Sequence, residues 1–283
     1  MRALATIAAL LLPGLAAAQD SPHAGETFEI IRTSDTQQSS DGSTGTSHDR
    51  DTLVERVVAV SGAGLELEYD LPANTPADDR ARDWKFPVRV FKPREGPLQL
   101  RNRAELEARV DKWLKAANLP RSACGRWYFS WNAFRIECDP EAALEAIRPF
   151  AIGQQSLGDG ALYADERAAR PVPLKRKPDG RGFAVEMAVD PAAVRNEMAE
   201  ADLVVAEISG KKLTREAAQK AHVDDIISGT IRISFDTDTA GQALRRTRIV
   251  ALTIRSAGKT ETRKITEVIE RRPVRPASNP DSI

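Results

Sequence analysis

The fold class of this chain follows from a ten-residue stretch, Ser61-Gly62-Ala63-Gly64-Leu65-Glu66-Leu67-Glu68-Tyr69-Asp70. Its first four residues are typical of a tight turn, and the six that follow alternate between an apolar and an acidic side chain. Because successive side chains of a strand point to opposite faces, one face of this strand is apolar and the other is charged. Such a strand belongs to an antiparallel sheet with one face on a core and the other in water.

Strand patterns return on both sides of this stretch. Further strands are predicted at 53–60, 86–90, 183–189, 231–235, 248–255 and 260–270, the last two joined by a turn at Ala257-Gly258. Another strand begins at Thr27 and ends in the polar segment 37–45, which we predict to be a turn or loop. Because the strands before residue 100 and after residue 180 share a one-face pattern, we predict one continuous antiparallel sheet, with 166–182 as a surface connection.

Helix signals fall in two regions. Asn102 and Glu105 match a capping box before an apolar stripe, and Asp139-Pro140 begins a shorter helix over 141–147. Residues 102–150 are therefore predicted to form a helix–hairpin–helix insertion.

The second helical region begins at Asp190-Pro191 and has Gly210 as its stop signal. Within it, the apolar run 203–208 fits a helix or a strand equally well. A last, alanine-rich helix is predicted from Thr214 to about His222.

The predicted fold is α+β. It is a curved, mostly antiparallel sheet (a half-barrel) with helices packed on one face and a disulfide-bridged hairpin inserted between them. Residues 19–270 form a single domain. Residues 271–283, rich in proline, serine and asparagine, are predicted to be a disordered tail.

Residues 1–18 have the features of a secretory signal peptide. Arg2 supplies a positive start, 3–12 is apolar, and small residues precede a cleavage site between Ala18 and Gln19. The apolar stretch is shorter than the roughly 20 residues of a membrane-spanning helix. No cysteine follows it to carry a lipid anchor. We therefore expect a periplasmic or secreted protein without an integral membrane segment.

Composition narrows the function classes. The 41 basic and 41 acidic residues cancel, so no overall field directs the chain to nucleic acid. Three histidines and two cysteines leave little material for a zinc centre or a redox relay. Neither a cofactor site nor a metal site is predicted. The calcium-loop pattern of Asp236, Asp238 and Gly241 lacks acidic residues at its fifth and twelfth positions, Ala240 and Thr247.

Three common catalytic motifs, a GxSxG elbow, an HExxH helix and a phosphate loop, are missing from the sequence. His222 lies near Asp224 and Asp225, which suggests an acid–base pair, but a solvated histidine at a helix end is the commoner case. No catalytic residue is assigned.

Cys124 and Cys138 are expected to form a disulfide in an oxidising compartment. If the two cysteines lie opposite each other in a hairpin, Trp127 faces Arg135, and Ser130-Trp131-Asn132 is a three-residue loop. The register also pairs Tyr128 with Phe134, and it puts both rings, with Ile136, on the face that packs against the Trp113-bearing helix.

This hairpin carries the candidate recognition surface, which consists of Trp127, Trp131 and Arg135. The prediction stacks Trp127 under the guanidinium of Arg135 as a cation–π pair. Two interpretations of Trp131 stay open. The indole either folds back into the core or stands exposed as an anchor for a protein or glycan partner.

Charge is segregated along the chain. Residues 41–83 carry ten acidic and four basic side chains, whereas 245–275 carry ten basic and three acidic ones. Three explanations are open: two solvated sheet faces, two hairpins that lie side by side, or a basic hairpin that meets an anionic envelope component.

One strand-and-turn motif supports a resemblance, Gly229-Thr230-Ile231-Arg232-Ile233-Ser234-Phe235-Asp236-Thr237-Asp238-Thr239-Ala240-Gly241. With long polar hairpins at the start and helices on one face, the chain resembles the curved antiparallel half-barrels of the lipoprotein-localisation-factor class. It is also similar to uncharacterised exported bacterial proteins with this ending. The order of elements is similar over most of residues 25–270. The resemblance implies an apolar concavity that holds an acyl chain or a partner segment.

The leading hypothesis is an exported, non-catalytic binding, carrier or envelope-interaction protein. Its partner is an apolar ligand, or a protein or glycan of the envelope. The alternatives are a hydrolase whose catalytic residues are dispersed in the sequence, and a structural or inhibitory partner of another exported protein. A dry apolar cavity would distinguish the carrier, and polar residues that converge in a cleft would distinguish the enzyme.

Overall fold

The computed structural model describes residues 22–129, 133–154 and 157–274. The predicted signal peptide, its cleavage site at Ala18 and Gln19, and the hairpin tip residue Trp131 lie outside these ranges.

The described residues form fourteen strands and five α-helices. The strands are β1 (Thr27–Ser40), β2 (Ser43–Ser61), β3 (Gly64–Asp70), β4 (Val88–Pro93), β5 (Gln99–Leu100), β6 (Trp127–Phe129), β7 (Ala133–Arg135), β8 (Leu162–Tyr163), β9 (Val172–Pro173), β10 (Lys175–Arg176), β11 (Gly182–Ala188), β12 (Ile226–Thr237), β13 (Ala243–Ser256) and β14 (Lys259–Pro273). The helices are α1 (Ala77–Arg82), α2 (Arg103–Ala116), α3 (Ala142–Ile147), α4 (Pro191–Ile208) and α5 (Arg215–Ala221), with 3-10 turns at Arg121–Ala123, Arg148–Phe150 and Ile152–Gln154.

Ten strands form one open sheet, in the order β10-β11-β12-β13-β14-β1-β2-β3-β4-β5. Each neighbouring pair is antiparallel. Pairing of β14 with β1 places the N-terminal and C-terminal hairpins side by side in one layer. The prediction of an α+β fold with one continuous antiparallel sheet is confirmed, and the connection 166–182 supplies the edge strand β10.

The polar segment 37–45 is not the loop that the sequence predicts. Strand β1 continues to Ser40, β2 begins at Ser43, and only Asp41 and Gly42 make the turn. Gly42 adopts φ +90°, a conformation that glycine accepts without strain. The strand persists without an apolar face because β14 pairs with it up to Ser40, so backbone hydrogen bonds run along both sides of β1.

Two apolar cores lie on one face of the sheet. The first packs the N-terminal strands against α2 and α3, with Ile30, Leu67 and Leu106 fully buried. The second covers β11–β13 with the start of α4, and buries Ile231 and Phe235. Each large apolar side chain that is fully buried stabilises the fold by about 1.5–3 kcal/mol. The odd residues of β12, the even residues of β13 and the odd residues of β14 lie on the buried face, as the register and a period of two require.

The capping box predicted at α2 is wrong. Asn102 is the N-cap residue, but its side chain makes no capping hydrogen bond. Its Oδ1 accepts a hydrogen bond from the backbone N of Arg89 at 3.0 Å, and its Nδ2 donates to the carbonyl of Pro87 at 3.1 Å. The buried amide therefore satisfies backbone groups of a neighbouring segment and ties α2 to the sheet.

The second helical region follows its sequence signals. Asp190 caps α4, with Oδ1 accepting from the backbone N of Ala192, and Pro191 is the first helical residue. The run 203–208, for which helix and strand were both open, is helical. Thr214 caps α5, and His222 ends it.

The start of the predicted tail needs correction, because β14 continues through Pro273. Arg271 is only 6% exposed, and it donates from Nε (3.0 Å) and Nη2 (2.8 Å) to Glu55 Oε1 on β2. Its guanidinium reaches this carboxylate across the ring of Phe28 on β1, with Cζ 3.2 Å from the ring centroid. Tyr69 on β3 donates its hydroxyl hydrogen to Glu55 Oε2 at 2.6 Å. Four adjacent strands are therefore tied by one buried polar cluster.

Glu55→Ala should destabilise the protein by about 3–5 kcal/mol, because it leaves the buried guanidinium of Arg271 without its counter-charge. Urea unfolding followed by circular dichroism measures this loss. Glu186→Ala is the matched control. It removes the partner of Arg232 from an exposed cross-strand pair, where at most about 1 kcal/mol is expected. Equal losses in the two variants would contradict the role given to the buried pair.

Candidate functional site

The disulfide between Cys124 and Cys138 is present, with the two Cα atoms 5.6 Å apart. It closes the base of the β6–β7 hairpin. Inside the bridge, Gly125 donates its N–H to the carbonyl of Ile136 at 2.7 Å, and Ile136 donates to the carbonyl of Arg126 at 2.9 Å. Gly125 adopts φ +81°, which a residue with a side chain rarely accepts.

The predicted register of the hairpin is confirmed. Trp127 lies opposite Arg135, and Tyr128 lies opposite Phe134. The three-residue tip, which includes Trp131, lies outside the described residues. The prediction about this indole therefore stays open.

Two of the three apolar side chains that the sequence places against the Trp113-bearing helix are exposed instead. Ile136 is buried in the first core, but Tyr128 is 37% exposed and Phe134 is 46% exposed. The two rings stack on each other, with centroids 6.3 Å apart and planes inclined by 26°. They do not pack against α2 as expected. The hairpin instead contacts α4, whose Glu207 Oε1 accepts a hydrogen bond from the backbone N of Trp127 at 3.3 Å.

Among the cation–π contacts of the described residues, none joins Trp127 to Arg135. The predicted pair is not formed, because Arg135 Nε donates to the carbonyl of Gly125 at 3.0 Å, and this bond directs the guanidinium across the hairpin toward its disulfide-bridged base. Trp127 is half-buried, whereas Arg135 is exposed. The exposed aromatic area of the described part of the hairpin is therefore formed by Tyr128 and Phe134.

Side chains of this kind are well suited to binding. Stacked aromatic rings offer a rigid apolar area, and the tyrosine adds one hydroxyl that donates and accepts hydrogen bonds. Cys124 and Cys138 are oxidised, so neither supplies a thiolate. The hairpin is a candidate for recognition.

A second polar feature lies between the two cores. Arg248 on β13 stands between Ile233 and Glu267 in the cross-strand register, so the charged groups share the face of the cores. Arg32 donates to Glu267 at 2.8 Å, and Arg246 donates to the same carboxylate at 2.6 Å. These side chains border a cavity of about 450 Å³.

Asp165 completes this cluster. It accepts two hydrogen bonds from Arg248, from Nε at 2.7 Å and from Nη2 at 2.8 Å. Burial alone would raise the pKa of Asp165, but the paired guanidinium outweighs burial and holds that pKa below its usual range. Burial likewise opposes ionisation of Glu267, and the charges of Arg246 and Arg32 still lower its pKa.

Tyr163, beside the same cavity, has a raised pKa because it is buried, so its phenol stays neutral. Ionised carboxylates with lowered pKa values and a neutral phenol make poor proton donors and acceptors near neutral pH. The properties of this cluster therefore fit a structural role, in which paired charges link the two cores.

His222, at the end of α5, makes more contacts than a histidine at a solvated helix end would make. Nδ1 of His222 lies 2.9 Å from Asp225 Oδ2, and Nε2 lies 2.9 Å from Asp202 Oδ2. Desolvation lowers the pKa of His222, but hydrogen bonds to the two carboxylates and their charges outweigh it, so the pKa is raised overall. The sequence pointed to Asp225. It gave no signal for Asp202, which the packing of α4 on α5 brings to the ring.

The two acidic side chains of the calcium-loop pattern bind other groups of the same chain. Asp236 pairs with Lys177 at 2.5 Å, and Asp238 Oδ1 accepts from the backbone N of Gln242 at 2.8 Å. Within the described ranges, no three histidine, cysteine, aspartate or glutamate side chains form a group that could hold a metal ion.

In the part of the chain that the structure describes, no helix is both long and apolar enough to cross a membrane. A scan against protein-family models found no match for the chain, and a search of the curated proteins found none either.

Replacing both cysteines, Cys124→Ser with Cys138→Ser, should lower the free energy of unfolding by about 3 kcal/mol. The cross-link closes a loop of about 15 residues, and its removal enlarges the unfolded ensemble. Chemical denaturation of the two forms measures the difference. The single exposed change Lys112→Gln serves as the control, and a loss below about 1 kcal/mol in the double variant would contradict the expectation.

The His222 contacts should stabilise the fold at low pH. A histidine whose pKa is raised by folding contributes stability that is fully present below the unfolded pKa, about 6.5, and is lost as pH rises through the folded value. The Tm of the wild type should therefore exceed that of His222→Gln most at about pH 6 and converge on it at higher pH. A Tm difference that does not change between about pH 5.5 and 9 would contradict this assignment.

Proposed function

We propose that this chain is an exported, non-catalytic binding protein that recognises a protein of the cell envelope through Tyr128 and Phe134. The observation that carries the proposal is the exposure of two stacked aromatic rings on a disulfide-closed hairpin. Export to the periplasm and cleavage before Gln19 belong to the same proposal, because a disulfide is typical of an oxidising compartment.

The energetics of interfaces support this use of the hairpin. Aromatic side chains are enriched at binding hot spots because they bury a large area and have few rotatable bonds. The disulfide and the bond between Glu207 and the backbone of Trp127 hold the hairpin in place before a partner arrives. Less conformational entropy is then lost on binding.

The packing of the cores favours surface recognition over internal carriage of an acyl chain. The apolar residues that would line an internal cavity are packed against helices, and Ile30, Ile231 and Ile233 are almost fully buried. The half-barrel curvature and the resemblance to the lipoprotein-localisation-factor class remain part of the proposal, with the sheet as a frame for the hairpin.

The hydrolase alternative receives less support from the polar clusters. Both ring nitrogens of His222 contact carboxylates, and the carboxylates of Asp165 and Glu267 are paired with arginines. To act as a general base, each of these groups would first have to break its present hydrogen bonds or ion pair.

Photo-crosslinking in the native envelope tests the proposal. With p-benzoylphenylalanine in place of Phe134, we expect an adduct with one envelope protein. The same analogue in place of Leu162, which is also exposed but lies away from the hairpin, should give none. Tyr128→Ala should reduce the yield at position 134 about tenfold or more, since a hot-spot residue contributes at least about 2 kcal/mol.

Thermal melting separates recognition from folding. Because the ring of Tyr128 is partly exposed, Tyr128→Ala should cost less than about 1.5 kcal/mol of stability. Equal adducts at positions 134 and 162, or loss of folding in Tyr128→Ala, would contradict the proposal. Co-sedimentation with purified peptidoglycan that Tyr128→Ala abolishes would assign a glycan partner instead.

A further inference from the structure

The sheet face opposite the two cores, the outer face, carries a cleft over β10–β13. Two cross-strand rows of side chains form its floor: Lys175, Ala184, Ser234 and Thr247 in one row, and Glu186, Arg232 and Ile249 in the next. Neighbours along each strand, such as Val185 and Ile233, point to the buried face. The register therefore assigns both rows to the outer face.

Small side chains explain why the surface is concave here. Ala184 and Ser234 stand side by side between the longer Lys175 and Thr247. The proline-containing connection that flanks β10, at Pro173 and Pro178, lines the cleft. Its volume is about 610 Å³, which lies within the range of about 300–1,000 Å³ typical of pockets for small molecules.

The cleft has more basic than acidic groups. Lys175, Lys177 and Arg232 line it, against the single carboxylate of Glu186. Lys175 is exposed and, within the described part of the chain, makes no ion pair. Arg176 also lines the cleft, but its guanidinium stacks on Phe183, 5.0 Å from the ring centroid, toward the buried face.

The paired cations keep donors for a ligand. Arg232 uses Nε for Glu186 Oε2 at 2.7 Å, and a guanidinium has four further N–H groups. Lys177 donates one hydrogen to Asp236, and an ammonium has three. An incoming anion therefore gains hydrogen bonds without displacing either intramolecular pair.

Apolar atoms lie beside these donors. Val172 and Ile249 are both half-buried and line the cleft with Ala184 and the two prolines. The strands that carry Lys175 and Arg232 are two positions apart in the sheet, which is about 10 Å. That span matches a ligand whose charged group contacts the basic residues while its body covers the floor.

We propose that this cleft binds a small soluble organic anion, a phosphate or carboxylate group on an apolar body. The anionic group contacts Lys175 and Arg232, and the apolar body lies on Ala184 and Ile249. This site is separate from the hairpin on which partner recognition rests, so either proposal can fail without the other.

Calorimetric titration of the full chain tests the site with octyl phosphate below its micellar concentration. Inorganic phosphate, which lacks the apolar body, and octyl glucoside, which lacks the charge, should each bind at least about tenfold more weakly. Lys175→Gln and Arg232→Gln should each weaken octyl phosphate binding about tenfold, the effect of one lost charge-assisted hydrogen bond. Ala184→Leu fills the floor and should weaken binding without any change in charge.

Lys112→Gln removes an exposed charge from α2, away from the cleft, and should leave octyl phosphate binding unchanged. Octyl phosphate that binds no better than inorganic phosphate would overturn the proposal, as would unchanged affinity in both Lys175→Gln and Arg232→Gln. Vesicles of phosphatidylglycerol with phosphatidylcholine test the membrane as the source of the anion. Co-sedimentation with them that Arg232→Gln abolishes would assign a lipid headgroup and overturn the soluble ligand.

Discussion

The fold depends on one buried ion pair, between Glu55 on β2 and Arg271 on β14. The two residues are 216 positions apart in the sequence, and the strand between them, β1, contributes the ring of Phe28 over which the guanidinium passes. A buried charge that has lost its partner is severely destabilising, so the pair selects the arrangement in which the N-terminal and C-terminal hairpins share a sheet. Gly153 allows the turn that covers the pair to approach, because a Cβ there would lie 2.9 Å from Arg271 Nε.

The second constraint is the polar region between the two cores. Apolar burial alone would favour one continuous core over so wide a sheet, but Arg32, Arg248 and Glu267 occupy the middle strands on the buried face. Their charges are accommodated because each contacts an opposite charge at hydrogen-bond distance. The sheet is thus stabilised on either side by apolar packing and in its centre by paired charges.

Both proposals rest on what this frame leaves exposed. The helices cover one face, so the surfaces proposed for recognition are the disulfide hairpin, where Tyr128 and Phe134 stack and are partly exposed, and the outer face of the sheet. The two surfaces differ in chemistry. The hairpin presents aromatic area, whereas the outer face combines small side chains such as Ala184 with the cations Lys175 and Arg232.

The sequence by itself determined the features that depend on neighbouring residues: the alternating strands, the caps at Asp190 and Thr214, and the hairpin register with its disulfide. These are local because a strand period, a cap or a two-cysteine loop involves residues close in the chain. Only the tertiary structure decided where side chains with several possible partners point. The side chain of Asn102 accepts a hydrogen bond from the backbone of β4 instead of capping its own helix. Arg271 lies in a strand of the sheet and pairs with Glu55, although the composition of its segment predicts a tail. Tyr128 and Phe134 are exposed, and their hairpin contacts α4, which is far away in sequence. Packing between distant segments sets these outcomes, and no local pattern encodes it.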